Sequence, residues 1–191
     1  MGLIEHLEAH LGLIAAGWSK DSDGRPREFR VAAFADGTIS GVQSFSTIGL
    51  SRHDLVSPRS GRKLRLELLA GERGGPGTEY LPGLVGQVAD ELLASGRALL
   101  RGDVIGPRGP LVPGSRMEAW YAAAPVYYDD GFAGVDLDDG HRAAIVWIVP
   151  ISRGEAQFVS ANGWREFENE LIKHDPDLLD LHREELPLAT R

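Results

Sequence analysis

The stretch from Ala98 to Tyr121 constrains the fold of this chain more than any other, because it joins a helical pattern to strand patterns. Its middle is a run of glycine and proline, namely Gly106, Pro107, Gly109, Pro110, Pro113 and Gly114. Glycine adopts backbone angles that other residues avoid, and proline fixes φ and lacks an amide donor. Gly102-Asp103 before the apolar pair Val104-Ile105 is typical of a turn that leads into a short strand. We therefore predict a shaped crossover loop, against which the rest of the chain packs.

Strand and helix patterns surround this crossover. Residues 64–68 alternate leucine with charged residues, which predicts a half-buried strand whose Glu67 side chain faces solvent. Residues 143–150 are apolar and rich in β-branched side chains, which predicts a fully buried central strand. Apolar residues at helical spacing predict helices over residues 3–16, 80–95 and 164–173.

Strands that come in runs, with helices at the start, middle and end, predict an α+β fold. The expected architecture is a mixed, largely antiparallel β-sheet packed by several helices, in a single domain over residues 1–191. A further helix is expected after Ser152, because Glu155 follows three residues later and completes a capping box. Residues 178–191 are predicted to be a short acidic segment that ends in a frayed tail.

Charge and residue content exclude several classes of protein. A net charge of −8 over 191 residues disfavours a nucleic-acid partner, because phosphates require a basic surface. The absence of cysteine excludes disulfides, thiolate nucleophiles and cysteine-ligated zinc. Glu5, His6 and Glu8 interrupt any apolar core of a signal peptide, and no apolar run approaches the length of a membrane span. A cytoplasmic protein without a membrane partner is therefore expected.

Three patterns could carry catalysis or metal binding, and each has a simpler structural interpretation. Gly49-x-Ser51-x-His53 lacks the second glycine of a nucleophile elbow. His6 and His10 lie four residues apart with no third ligand nearby, which favours a solvated helix face. The acidic turns at 127–131 and 136–140 lack the bidentate glutamate of a calcium loop and favour an exposed hairpin. We therefore predict no catalytic residue, no cofactor and no metal site.

Five short motifs follow one another along residues 25–185. They are Thr47-Ile48-Gly49-Leu50-Ser51 with the Leu-x-Leu-Glu-Leu strand after it, the 82–95 helix with Gly102-Asp103-Val104-Ile105, Pro110-Leu111 with Ser115-Arg116-Met117 and Pro125, Val146-Trp147-Ile148-Val149-Pro150-Ile151 with Glu155 and Gly163, and Asp180-Leu181-His182-Arg183. In this order and spacing the chain resembles the suppressor of fused family, specifically its bacterial single-domain members.

This resemblance implies a binding module rather than an enzyme. Animal members sequester a transcription factor by gripping an extended peptide in a groove, whereas the bacterial members imply an immunity protein that neutralises a cognate toxin. The resemblance places Asp103 beside that groove, as the aspartate of the Gly-Asp motif, and Glu91 where the animal proteins carry a groove tyrosine. This chain also ends where the animal proteins continue into a second domain, so their two-domain clamp is not expected.

The expected function is therefore the capture of another protein or peptide by a monomer. The predicted partner contacts are Asp103, Glu91, Tyr127 and Tyr128. The two carboxylates suit a basic peptide, and tyrosines beside carboxylates suit a cationic partner. The leading hypothesis is an immunity-type protein, and the alternative is a regulatory or scaffolding module that binds a protein other than a toxin. A third hypothesis is a hydrolase or metalloenzyme that uses His53, His141 or Glu67.

Overall fold

The computed structural model describes residues 2–188, which form four α-helices and nine strands. The helices are α1 (Leu3–Leu11), α2 (Leu81–Ser95), α3 (Arg153–Asn162) and α4 (Trp164–His174). The strands are β1 (Gly12–Lys20), β2 (Pro26–Asp36), β3 (Gln43–Ile48), β4 (Leu55–Val56), β5 (Lys63–Glu72), β6 (Val104–Ile105), β7 (Met117–Ala123), β8 (Gly134–Asp136) and β9 (Arg142–Ser152). None of these helices is both long enough and apolar enough to cross a membrane, within the described part of the chain.

All nine strands join one sheet, in the spatial order β1-β2-β3-β5-β9-β7-β6, with β4 paired to β5 and β8 paired to β9. Neighbouring strands run antiparallel except β5 and β9, which run parallel with Arg65 opposite Ala143. The predicted α+β fold with a mixed, largely antiparallel sheet is confirmed. The predicted crossover is confirmed too, because the chain passes from α2 through the edge strand β6 and a loop into β7.

Helices cover both faces of the sheet, and this explains why its central strands are buried. α2 packs against β2, β3 and β5 on one face, whereas α1, α3 and α4 contribute to the apolar cluster on the other face. On β9, Ile148 belongs to the apolar cluster on the face covered by α2, and Val149 belongs to the cluster on the opposite face. A strand with both faces buried is expected to be apolar along its length. The prediction for residues 143–150 is therefore confirmed, except at the exposed Ala144.

Glu67 on β5 does not face solvent, so the prediction of a strand with one solvated side is wrong at this position. The turn at Leu50–Arg52 folds over the strand, and the Glu67 side chain is fully buried. Its Oε1 accepts hydrogen bonds from the Gly49 and Ser51 amides, at 2.9 and 3.1 Å, and from Ser51 Oγ at 2.7 Å. Its Oε2 accepts from Thr47 Oγ1 at 2.5 Å and from the Leu50 amide at 3.3 Å. Burial raises the pKa of Glu67, and the hydrogen bonds oppose that shift.

The apolar spacing predicted that the first helix ends at residue 16, but it ends at Leu11. Gly12 has a φ of 86°, and a side chain there would collide with the backbone carbonyl of Ala35. Glycine is therefore needed where the chain leaves the helix and continues at once as β1. Ile14, whose spacing suggested a longer helix, belongs to this strand and is 38% exposed, and its neighbour Leu13 is 72% exposed.

The two histidines of α1 do not lie on a solvated helix face. His6 is 8% exposed, and its Nε2 lies 3.1 Å from the carbonyl oxygen of Phe132. His10 Nε2 lies 3.2 Å from a carboxylate oxygen of Asp129. The pair therefore fixes α1 against the turn before β8, a packing role that helical spacing alone does not reveal.

The chain after α4 packs against the rest of the protein as far as residue 188. The predicted frayed tail is therefore wrong up to that residue. Leu178, Leu179, Leu181 and Leu186 are buried in the two apolar clusters. The predicted capping box at the start of α3 is confirmed, because the Glu155 amide donates to Ser152 Oγ at 3.0 Å. The last part of the predicted tail, residues 189–191, lies outside the described residues.

Candidate functional site

A groove of about 740 Å³ lies beside β6, at the end of the sheet opposite to β1. Residues from the last turns of α2, from β6 and from α3 line it. Two of the predicted partner contacts, Glu91 and Asp103, are among the lining residues. The fold thus brings together two side chains that are twelve positions apart in the sequence.

β6 is an edge strand whose outer side carries unpaired backbone groups. It pairs with β7, and no other strand of residues 2–188 lies on its outer side. The Asp103 carbonyl accepts a hydrogen bond from the Ala122 amide at 2.9 Å and so points toward β7. Because backbone groups alternate in direction along a strand, the N–H and C=O of Val104 point away from β7. β6 therefore presents one donor and one acceptor to an added strand.

The Gly102-Asp103 turn sets the start of β6. Asp103 Oδ2 accepts a hydrogen bond from the Leu100 amide at 2.9 Å, and Oδ1 accepts one from Arg59 Nη2 at 3.0 Å. The Gly102 amide donates to the Ala122 carbonyl at 2.8 Å, which attaches the turn to β7. The carboxylate of Asp103 thus closes its own turn, while its side chain stays 29% exposed beside the groove.

We expect Gly102→Ala to destabilise the protein by about 1–3 kcal/mol, because the glycine has a φ of 91° that alanine rarely adopts. The added Cβ would also lie 2.5 Å from the Trp164 side chain, so the start of α4 would have to move. Gly109→Ala is the matched control, since Gly109 has a φ of 102° and an added Cβ there would meet no atom within 4 Å. Urea unfolding of the two variants measures the difference, and equal losses would show that contact with Trp164 contributes nothing.

Glu91 on α2 forms a bidentate ion pair beside the groove, with Arg108 nitrogens at 2.8 and 2.7 Å. The hydrogen bonds from Arg108 lower the pKa of Glu91. Both predicted acidic contacts therefore have an arginine partner, Arg59 for Asp103 and Arg108 for Glu91. A basic segment in the groove would compete with these arginines, so charge alone gives it less selectivity than two free carboxylates would.

The walls of the groove include apolar and small side chains that the sequence patterns did not single out. Ala156, Val159 and Ser160 on α3 line the groove, and Leu92 on α2 lines it too. The small residues at positions 156 and 160 lie one helical turn apart and so share a face of α3. That spacing is visible in the sequence, but only the fold shows that this face borders β6.

The two tyrosines predicted to contact a partner lie away from the groove. Tyr127 is 39% exposed and packs against Trp147, with ring centroids 4.9 Å apart. Tyr128 is more enclosed: its ring lies 4.5 Å from that of Phe132, and its hydroxyl lies 3.3 Å from Ser44 Oγ. Burial raises the pKa of both phenols. The four predicted contacts therefore do not form one continuous surface.

The residues considered for catalysis make separate structural contacts. Ser51 is buried and its hydroxyl donates to Glu67. His53 Nε2 lies 3.4 Å from a carboxylate oxygen of Glu28, and His141 Nδ1 lies 3.2 Å from one of Asp139. Between residues 2 and 188, no group of three or more histidine, aspartate or glutamate side chains is arranged to hold a metal ion.

Comparison with known proteins gives one matching family. The model of the suppressor of fused protein family matches residues 25–184. No curated protein matches the chain in sequence.

Several solved structures have the same fold. A suppressor of fused homologue from Neisseria gonorrhoeae aligns with a TM-score of 0.74 at 16% identity, over 97% of this chain and 95% of its own. A chain of the Sufu-Fu complex aligns with a TM-score of 0.68 at 14% identity, over 98% of this chain and 89% of its own. Drosophila Suppressor of Fused aligns with a TM-score of 0.61 at 16% identity, over 81% of this chain and 42% of its own. At these identities the likeness extends to the fold and not to the partner.

Proposed function

We propose that this chain, which belongs to the suppressor of fused family, is a non-catalytic module that captures an extended segment of another protein. The segment adds to the outer side of β6 and lies in the groove between α2 and α3. The observation that carries the proposal is the edge strand itself, because Val104 directs an N–H and a C=O away from β7 beside a groove of about 740 Å³. Strand addition needs only such backbone groups and pockets for alternate side chains.

The groove limits what the segment can be. β6 has two residues, so main-chain hydrogen bonds contribute only part of the affinity. The remainder comes from apolar side chains that contact Leu92, Ile105 and Val159. A basic residue in the segment reaches Glu91 or Asp103, in competition with the arginines that already contact them.

The partner that we propose is a cognate toxin domain, which makes the chain a cytoplasmic, monomeric immunity-type protein. The net charge of −8 suits a basic partner, and the Sufu-Fu complex is a case in which a protein of this fold assembles with another protein. Regulation or scaffolding of a protein other than a toxin is the alternative. The identity of the neighbouring gene distinguishes the immunity function from the regulatory alternative, because an immunity protein is encoded next to the toxin that it neutralises.

The groove is tested by affinity capture from the native cell with the wild-type chain and two groove variants. Glu91→Gln and Asp103→Asn remove one charge each but keep the side-chain shape, including an oxygen that can accept from the Leu100 amide. We expect the wild type to capture one protein. The double variant, which carries both substitutions, should capture at least about fivefold less of that protein, as expected when hydrogen-bonded charges are lost at an interface. Leu13→Ser is the control, because Leu13 is exposed on the opposite edge of the sheet.

Two outcomes would count against the groove and one against the toxin. Full capture by the double variant would show that neither carboxylate of the groove contacts the partner, and equal loss with Leu13→Ser would show that the loss is not specific to the groove. A captured partner that does not poison cells when expressed alone would favour the regulatory alternative. A partner that kills cells, and that is neutralised by the wild type but not by the double variant, is the expected result.

A further inference from the structure

A second cavity lies on the part of the molecule that contains Tyr127. It has a volume of about 190 Å³ and is enclosed by the end of β7, by β9 and by α4. Its lining includes Trp147 and Val149, which are buried. The groove beside β6 and this pocket have no lining residue in common, so binding at the pocket does not depend on the proposed function of the groove.

Large apolar side chains are exposed around the mouth of this pocket. Val126 is 64% exposed, Tyr127 is 39% exposed and Ile172 is 79% exposed, and all three line it. Single exposed apolar residues are ordinary on a protein surface, but several around one cavity mark a binding site. Desolvation of this apolar rim would favour binding.

The size of the pocket suits one side chain. Sites for drug-sized ligands have volumes of roughly 300–1,000 Å³, and this cavity of about 190 Å³ is smaller. Aromatic groups form part of its wall, with Tyr127 packed at 4.9 Å from Trp147. Such walls favour an aromatic or large aliphatic side chain in the offset or tilted geometry that aromatic pairs prefer.

Three polar side chains that line the pocket already pair with one another. The Tyr121 hydroxyl donates to Glu168 Oε1 at 2.9 Å, and Arg101 Nε donates to the same oxygen at 2.9 Å. Arg101 Nη2 contacts the other carboxylate oxygen of Glu168. Because these groups already pair with one another, the inserted group has no need to supply a donor or an acceptor.

The rim, in contrast, carries a carboxylate that no neighbouring cation neutralises. Asp175 lines the pocket and is exposed. The nearest basic side chains along α4, Lys173 and His174, both contact Glu170. Asp177 pairs with Arg73 at 2.7 Å, and none of the ion pairs within residues 2–188 includes Asp175.

We propose that this pocket docks a large apolar side chain of a partner protein, flanked by a lysine or arginine that contacts Asp175. The apolar walls take the side chain, and the unpaired carboxylate at the rim selects the charge of the residue next to it. The partner surface is therefore an apolar residue beside a basic one.

The proposal is tested with two defined probes, N-acetyl-phenylalanyl-arginine amide and N-acetyl-phenylalanyl-glutamate amide. Each is titrated into the full chain while backbone and indole resonances are followed by NMR. We expect shifts at Trp147 and at the rim residues, and about fivefold tighter binding of the arginine probe, as expected for one exposed ion pair.

Two variants and two controls complete the test. Ile172→Ser should weaken both probes, whereas Asp175→Asn should bring the two affinities within about twofold while leaving the backbone unchanged, because asparagine tolerates the left-handed conformation found there. Leu13→Ser and the groove variant Glu91→Gln should bind both probes as the wild type does. Shifts confined to residues outside the pocket, equal affinity of the wild type for both probes, or equal weakening by Leu13→Ser would each overturn the proposal.

Discussion

Glu67→Ala is expected to lower the free energy of unfolding by about 3–5 kcal/mol, because buried donors lose the acceptor that they share. Hydrogen bonds converge on this carboxylate from the side chains of Thr47 and Ser51 and from the backbone of the turn that follows β3. Alanine accepts none of them, and the turn would no longer be held over β5. Urea unfolding at neutral pH measures the loss, which is roughly a third of the stability of an ordinary domain.

Two further variants separate this effect from a general weakening of β5. Glu67→Gln keeps one acceptor oxygen but directs an amide NH₂ group at the remaining donors. We therefore expect its free energy of unfolding to lie between those of the wild type and Glu67→Ala. Lys63→Ala is the control on the same strand, because the Lys63 side chain is 72% exposed and its partner Asp54 lies at the surface. A small loss with Glu67→Ala, equal to that of Lys63→Ala, would contradict the structural role of Glu67.

Arg183→Met is expected to destabilise the protein by about 3–5 kcal/mol, because it leaves the Glu155 carboxylate buried without its cation. The side chains of Arg183 and Glu155 are 4% and 0% exposed, and they form two hydrogen bonds of 2.7 and 2.6 Å. Arg183 Nη2 also donates to the Pro150 carbonyl at 3.1 Å. This pair joins the segment after α4 to the start of α3 and the end of β9.

The double variant Glu155→Leu/Arg183→Met distinguishes an unpaired charge from lost packing. It removes both charges, so we expect it to recover part of the stability that Arg183→Met loses. Recovery is incomplete because the Ser152 and Leu186 amides also donate to Glu155. Arg116→Met is the matched control, since its ion pair with Glu184 is exposed. A double variant less stable than Arg183→Met would contradict this explanation.

Four of the five family motifs contribute to buried polar contacts such as these, whereas the second, which contains Asp103 and Val104, lies beside the groove. The first motif, residues 47–51, surrounds Glu67 of the strand that follows it. Ser115 of the third motif contacts the carbonyl of Leu181 in the last motif, and Arg183 of the last motif pairs with Glu155. Motifs of this kind identify the fold because they maintain it. For the same reason they say little about the partner.

The sequence predicted the central strands, the capped helices and the crossover, since each depends on local periodicity or turn chemistry. It placed Glu67 in solvent because alternation along one strand does not show that a turn folds over the second face. It extended the first helix past Gly12, because the apolar residues of the exposed strand β1 continue the helical spacing. In both cases a tertiary contact, which the local pattern does not contain, decides the outcome.

The candidate site was predicted in part. Glu91 and Asp103 do meet at one groove, but nothing in the sequence indicated that two arginines in loops, Arg59 and Arg108, pair with them. The helix α3, which forms one wall, follows β6 only after three further strands, so no local pattern could assign it. Tyr127, in the acidic turn at residues 127–131, lines the pocket between β7, β9 and α4 and does not line the groove.

Hydrogen–deuterium exchange of the β6 amides, with and without the captured partner, tests the central claim most directly. If the partner adds as a strand, the outward N–H of Val104 becomes hydrogen-bonded, and we expect its exchange to slow by at least about tenfold. The amides of β1, at the opposite edge of the sheet, should exchange at the same rate in both samples. Unchanged exchange at Val104 in a sample that is fully bound would contradict strand addition at β6.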